Sequence, residues 1–320
     1  MPSLKAIRKR IVSVKNTKKI TAAMKLVAGA RLRRAQDAIT AVRPYAGRLQ
    51  DVIAELAARA QVTSVKQEEL DAPLDALEED APEHSRKRWA VVKAAKLLLT
   101  RRDEKRVAMI LLSSDRGLSG AFNSNINRRT ERFLIDNADK YESVMLSIVG
   151  KKSRDYFKRR KGSLKREWTA PQTSPVALER AREIANEVTA DFLNGEVDAV
   201  YIVYNAFKSA VSQVVTVEQL LPVTPAKMDE ANGLNDFKYE PSPEAILAHI
   251  VPLHVEVQIY KAMLESIASE FGARMSAMDS ATKNANEMIG ALTLQFNRAR
   301  QAAITKELME IIGGAEALKG

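Results

Sequence analysis

The sequence predicts an α/β fold to which two long helices, one at each end of the chain, add a coiled coil. Three observations favour this fold. Apolar residues recur at steps of three and four over both ends of the chain, and short apolar runs rich in β-branched residues alternate with helical stretches between them. Aromatic residues make up only 5% of the 320 residues. Such patterns are typical of helices with one buried stripe and of a sheet covered by helices.

The N-terminal helix is predicted from Leu4 to about Ala60, within a first domain that spans residues 1–62. Pro44 removes a helical hydrogen bond, so we expect a kink or a local break there. Residues 1–36 contain about eleven Lys and Arg and no Asp or Glu, which predicts an acidic partner: nucleic acid, anionic lipid or an acidic protein loop. The buried stripe consists of Leu4, Ile7, Ile11, Val14, Met24, Ala28, Ala35, Ala38, Val42, Ala46, Leu49, Ile53 and Leu56.

A charged connection follows at residues 63–104. It contains an acidic run from Glu68 to Glu83, followed by a basic run from Arg86 to Arg102. Two interpretations are open here. The segment is either a solvated helical pair whose charges neutralise each other or a docking site for a second subunit.

Residues 105–222 are predicted to form a small Rossmann-like α/β domain with a largely parallel sheet, because strand and helix patterns alternate along them. A linker at residues 223–242 follows this domain. The predicted strands are Lys105–Ser113, Val144–Val149 and Asp198–Tyr204, with an edge strand at Ser212–Leu221, and the predicted helices cover residues 121–139, 151–160 and 176–194.

The C-terminal domain, residues 243–320, is predicted to be one helix that extends to about Ile312 and spans roughly 105 Å. Ser242 or Pro243 suits its start, and Pro252 should bend it early. Its stripe recurs with a mean period near 3.6 through Tyr260, Leu264, Ile267, Phe271, Met275, Met278, Thr282, Ala285, Ile289, Leu292, Phe296, Ala299 and Ala303. Neither long helix can leave such a stripe in water, so we expect the N- and C-terminal helices to pack on each other.

The sequence gives little support for a catalytic or metal site. Residues 114–123, SDRGLSGAFN, follow a predicted strand and precede a helix, a context that can bind phosphate, but they lack both phosphate-loop patterns. A tight strand-to-helix turn is the alternative. The three histidines lack metal-ligand spacing, and cysteine is absent. We therefore predict no catalytic residue, cofactor or metal.

The chain is expected to be soluble and unexported. No apolar run approaches the roughly 20 residues that span a bilayer. The N-terminal MPSLKAIRKR has no apolar core of a secretory signal.

Four stretches, in the same order along the chain, resemble the ATP synthase gamma family of bacterial type. They are IRKRIVSVKNTKKITAAMKLVAGARLRRAQ at 7–36, SDRGLSGAFN at 114–123, YNAFKSAVSQVVTVEQLLPV at 204–223, and ARMSAMDSATKNANEMI from Ala273 followed by FNRARQAAITKELMEIIGGA at 296–315. Together they are highly specific. The segment at residues 64–96 is longer than the connection that members of this family usually have there.

The resemblance implies an antiparallel coiled coil that stands inside a ring of three alpha and three beta subunits. The α/β domain and an epsilon subunit would sit on the membrane-embedded c-ring, on the cytoplasmic face of the bacterial inner membrane, so membrane association would be indirect. Rotation of this shaft would couple proton flow to ATP synthesis or hydrolysis at the ring, and the chain itself would not be catalytic.

The resemblance also implies contact residues for the alpha and beta subunits. The basic N-terminal helix would face acidic loops of the beta subunits, with Lys18, Lys19, Met24 and Lys25 as candidates. On the terminal helix the family's contact motif falls on Arg300, Gln301 and Thr305, and Arg274 is a further candidate. For each of these residues a solvated or purely local role is the alternative.

Two other functions are open at this stage. The basic helix could be a nucleic-acid reader, which would predict strongly salt-dependent DNA binding, although aromatic residues do not interleave with its basic residues. The α/β domain could be a nucleotide-binding enzyme, which would predict ATP or GTP binding by the isolated chain.

Overall fold

The computed structural model describes residues 3–59, 83–160, 163–225, 239–240 and 242–317. Within these residues the helices are α1 (Leu4–Arg59), α2 (Glu83–Leu99), α3 (Phe122–Asp136), α4 (Lys151–Arg159), α5 (Ser174–Leu193) and α6 (Pro243–Ala317). The strands are β1 (Arg106–Leu112), β2 (Ser143–Val149), β3 (Leu164–Trp168), β4 (Ala199–Phe207) and β5 (Gln213–Leu221). The predicted fold class is confirmed, with two long terminal helices and an α/β sheet between them.

The chain divides into two compact units. Residues 1–30 and 274–320 form one, which we call the helix-pair unit, and residues 31–273 form the other, the sheet unit. α1 and α6 each contribute a segment to both units. The domain boundaries predicted from the sequence remain predictions.

The sheet has five strands in the order β3-β2-β1-β4-β5. Neighbouring strands are parallel except for the antiparallel pair β4 and β5. β1 lies at the centre and is buried from Val107 to Leu112, as its uninterrupted apolar run requires of a strand covered on both faces. Part of the core on one side of it is formed by Met109, Leu111, Phe122, Ile126, Leu146, Ile148, Phe157 and Val203.

Strand β3 was not predicted. Its sequence, LKREW, is mostly charged, and it lies at the sheet edge, where such residues are tolerated. Lys165 Nζ lies 2.9 Å from a carboxylate oxygen of Asp191, and Arg166 Nη2 donates to Asp191 across 3.0 Å. Burial raises the pKa of Asp191, but the hydrogen bonds from Arg166 and Lys165 outweigh it, and the net shift is downward. The edge strand is therefore held to α5 by charge pairing.

Helix α2 is packed rather than solvated over its second half. Ala95, Leu97 and Leu98 are buried, and the carbonyl of Leu98 accepts a hydrogen bond of 2.8 Å from the amide of Val223. The solvated interpretation is therefore wrong for this part of the charged connection. Residues 60–82, which hold most of its acidic positions, lie outside the described residues, and the docking interpretation stays a prediction.

Both long helices retain helical geometry through their internal prolines, Pro44 in α1 and Pro252 in α6. The local break that we expected at Pro44 is absent. Ser242 precedes α6, and its hydroxyl accepts a hydrogen bond of 3.2 Å from the amide of Ala245. This is the N-cap that the sequence predicted.

Gly150, between β2 and α4, packs closely against the backbone of Ser113, which directly follows β1. Its φ is 104°, and a Cβ atom there would overlap the backbone of Ser113. We expect Gly150→Ala to lower the free energy of unfolding of the full chain by about 3 kcal/mol, because backbone strain and a backbone clash add. Gly195, with a φ of 70° and open space around it, is the matched control, and Gly195→Ala should cost only about 1 kcal/mol. Equal urea denaturation midpoints for the two variants would contradict the expected clash.

Candidate partner-contact surface

In the helix-pair unit, α1 and α6 run antiparallel. Three side-chain contacts join them: Lys25 Nζ to Asp279 Oδ1 at 2.7 Å, Thr282 Oγ1 to Thr21 Oγ1 at 2.8 Å, and Lys18 Nζ to Asn286 Oδ1 at 2.7 Å. As residue numbers fall from 25 to 18 on α1, they rise from 279 to 286 on α6. The antiparallel pairing that the resemblance implied is present here.

The buried seam between the two segments follows the predicted stripes. On α1 it includes Ile7 and Ala28, and on α6 it includes Met278, Ala285 and Leu292. No member of the predicted α6 stripe from Met275 to Ala303 is exposed. Burial of one narrow stripe leaves the other faces of both helices available for contact.

Two of the candidate lysines have partners within the chain. Lys25 is ion-paired with Asp279, and both side chains remain partly exposed. The hydrogen bond from Lys25, together with one from Lys283, lowers the pKa of Asp279. Lys18 donates a hydrogen bond to the side chain of Asn286, which is uncharged, so its partner does not neutralise it. Lys19, between them, is exposed.

Met24 and Arg274 are less accessible than the exposed Lys19. Met24 is half-buried, whereas Arg274 is only 9% exposed. Arg274 therefore has little surface to offer a partner. Sequence reasoning missed three exposed apolar residues beside the lysines, namely Ile20, Leu26 and Val27, with Leu26 74% exposed. The available signal was that they are apolar but lie off the buried stripe.

The remaining candidates, Arg300, Gln301 and Thr305, are all exposed on α6. The helix register places Leu4, the first residue of α1, opposite about residue 300, some 20 Å along α6 from the contact with Lys18. Beyond that point no described residue of α1 faces α6. The candidates therefore form two groups, one around Lys18–Lys25 and one around residues 300–305.

The end of α6 carries exposed apolar side chains among these polar candidates. Ile304, Leu308, Met309, Ile311 and Ile312 are each more than half exposed, with Ile311 reaching 70%. Contiguous exposed apolar residues of this kind mark interaction surfaces. The end of α6 is therefore a candidate surface for a partner.

The glycine-containing loop at 114–123 is a tight strand-to-helix turn in which Ser114 and Asp115 form hydrogen bonds within the chain. Asp115 accepts hydrogen bonds from the amides of Lys151 at 3.0 Å and Ala170 at 3.2 Å. The hydroxyl of Ser114 donates to the carbonyl of Arg116 at 2.7 Å. Among the described residues, no group of three or more His, Cys, Asp or Glu side chains could hold a metal ion.

Comparison with known proteins places the whole chain in one family. Residues 3–318 match the ATP synthase family profile. The sequence is 50% identical over 320 residues to the ATP synthase gamma chain of Anaeromyxobacter sp. strain Fw109-5, with complete coverage of both chains. It is 48% identical over 332 residues to that of Sorangium cellulosum, again with complete coverage of both. The chain belongs to the ATP synthase gamma chain family. This confirms the function predicted from the sequence motifs, a non-catalytic central-stalk subunit of the F-type ATP synthase.

Solved structures agree on the fold. A chain of the Euglena gracilis mitochondrial ATP synthase superposes with a TM-score of 0.63 at 18% identity, covering 98% of this chain and 94% of that one. A chain of the Tetrahymena thermophila central stalk and c-ring structure gives 0.53 at 24% identity, covering 82% and 99%. Within the described residues no helix is both long and apolar enough to cross a bilayer. The gamma chain is thus a membrane-associated subunit of F1 with no spanning helix among the residues described.

The contact between Thr21 and Thr282 gives a test of the helix pairing. Thr282→Val keeps the side-chain shape but removes the hydroxyl that lies 2.8 Å from that of the buried Thr21. We expect the free energy of unfolding to fall by about 1 kcal/mol. Both Thr282 and the exposed Thr293 lie 2.7 Å from a carbonyl one turn earlier on α6, that of Met278 and that of Ile289. Thr293→Val is therefore the matched control, because of the two threonines Thr282 is the one that lies beside Thr21 on α1. An equal loss in both variants, measured by thermal unfolding, would contradict a stabilising contact between the helices.

Proposed function

We propose that the chain is the rotor shaft that couples proton flow through a membrane c-ring to ATP synthesis or hydrolysis in a ring of alpha and beta subunits. Family membership supports this role. The observation that carries it is the end of α6, where exposed apolar side chains extend past the start of α1. An apolar helix end of this kind fits inside a sleeve formed by partner subunits.

Coupling requires that the shaft interact differently with each beta subunit. A ligand or partner shifts a conformational equilibrium only through a difference in its interaction with the two states. The described surface is asymmetric in this sense, because apolar and basic residues of α1, such as Leu26 and Lys19, are exposed on one helix while α6 supplies a different set. Each rotational position would therefore present a different surface to a given beta subunit.

The contact residues that we propose fall into the same two groups. Arg300, Gln301 and Thr305 would contact the loops of the ring near the end of α6. Lys19, with Lys18, Met24 and Lys25, would face acidic loops of the beta subunits, and the ion pair of Lys25 with Asp279 leaves Lys19 as the most available charge. Arg274, being buried, would act by holding α6 in place rather than by direct contact.

The sheet unit would provide the attachment to the epsilon subunit and the c-ring. Membrane association would then be indirect. We place the complex on the cytoplasmic face of a bacterial inner membrane, a proposal supported by the bacterial origin of the relatives.

The exposed arginine at position 300 allows a direct test. We expect Arg300→Ala to weaken recovery of the chain with alpha and beta subunits and to lower ATP-driven proton pumping by about tenfold, because a charge-assisted hydrogen bond is lost at the interface. The measurement is co-purification of the tagged chain from its source, followed by ATPase and pumping assays on the eluate.

Arg298 provides the control, since it is also exposed and lies on a different face of the same helix turn. Arg298→Ala removes the same charge and should leave recovery and pumping within about twofold of the unmodified chain. Recovery of the unmodified chain without alpha and beta subunits and without ATPase activity would overturn the proposed function. Equal defects in both variants would instead contradict the proposed role of Arg300.

A further inference from the structure

A cavity of about 450 Å³ lies within the sheet unit and is lined by three arginines. Arg31 and Arg34 come from α1, and Arg116 comes from the loop between β1 and α3. No acidic side chain lines the cavity, and its other walls are Ala35, Ala38, Gln172, Thr173, Ser174, Leu264, Ile267 and Phe271. We call it the arginine cavity.

The three arginines of the cavity form few hydrogen bonds or ion pairs with the described residues. Arg31 lies over the ring of Phe271, with its guanidinium carbon 5.5 Å from the ring centroid, and donates a long hydrogen bond of 3.4 Å to Gln172. Among the described residues, neither Arg34 nor Arg116 forms an ion pair with an acidic side chain. Like charges that share one cavity repel each other, so a bound anion would be stabilised there.

The start of α5 adds further donors. Thr173 occupies the N-cap position of this 20-residue helix, but its hydroxyl makes no capping hydrogen bond. The amides of the first turn therefore lack a side-chain acceptor, and the positive end of the helix dipole lies at the cavity wall. The hydroxyl of Ser174 is engaged with that of Tyr260 at 2.5 Å.

The size and chemistry of the cavity define the ligand class. Its volume lies within the range of roughly 300–1,000 Å³ found for small-molecule sites, and a concave site with several arginines suits phosphate groups, which accept bidentate hydrogen bonds from guanidinium. We propose that the arginine cavity binds a small phosphorylated anion, either a free polyphosphate or the phosphate groups of a nucleotide. The buried apolar side chains of Leu264, Ile267 and Phe271 give the floor on which an organic part of such a ligand would pack.

The test is a calorimetric titration of the full chain at about 0.1 M salt, where charges farther apart than about 10 Å are largely screened. Pyrophosphate, ATP and adenosine are titrated separately. We expect saturable binding of pyrophosphate, and Arg34→Gln and Arg116→Gln should each weaken it by about tenfold. Tighter binding of ATP than of pyrophosphate identifies a nucleotide as the source of the phosphate groups, and equal binding identifies a free polyphosphate; both support the site.

Arg33 is the matched control, because it is an exposed neighbour of Arg34 on α1 that does not line the cavity. Arg33→Gln removes the same charge and should leave the affinity within about twofold. Absence of saturable pyrophosphate and ATP binding would overturn the proposal. So would an equal loss in all three variants, which would show general attraction to a basic chain, or binding of adenosine as tight as that of ATP.

Discussion

A helix that carries one continuous apolar stripe is stable in water only where that stripe is covered, and this constraint organises the whole chain. α6 meets it in two ways. In the sheet unit, every residue from Ala262 to Gly272 is buried, so the helix there is enclosed on all sides. In the helix-pair unit only one stripe is buried, by α1, and past residue 300 no described residue of α1 remains to cover it. The apolar end of α6 is thus left uncovered by the described part of α1.

Polar contacts then determine the register that the apolar stripe alone would leave loosely defined. α1 carries no acidic residue before Asp37, so the negative charge must come from α6, where Asp279 supplies it. Thr21 and Thr282 add a partly buried hydroxyl contact that tolerates no slip of one residue. The pairs at 18, 21 and 25 follow steps of three and four, so they lie along one face of α1, beside the stripe.

The two long helices and four of the five strands could be predicted because each has one dominant signal, a period of 3.6 or an apolar run. Strand β3 could not, since its charged residues are stabilised by Asp191 on α5, a partner distant in sequence. α2 was misjudged because its charge composition hid the buried Ala95, Leu97 and Leu98. Prediction of the candidate site from the sequence was limited in the same way. The contact motif located Arg300 and the ARM element suggested Arg274, but only the packing of α6 shows that Arg274 is buried and Arg300 exposed.

The packing of α6 also gives a physical reason why an α/β sheet of this topology serves a non-catalytic chain. In parallel sheets, ligands bind beyond the carboxyl ends of the strands where the strand order reverses, which here lies between β1 and β4. α6 occupies that place: Ser266 donates to the carbonyl of Leu112 at 3.4 Å and Ser269 to that of Asn205 at 2.8 Å. A Cβ at Gly272 would lie only 3.1 Å from the carbonyl of Ala210, so the absence of a side chain permits this close approach. In this chain α6 fills the crevice in which such folds usually bind a ligand. The helix is thereby firmly attached to the sheet, as a subunit that transmits force requires.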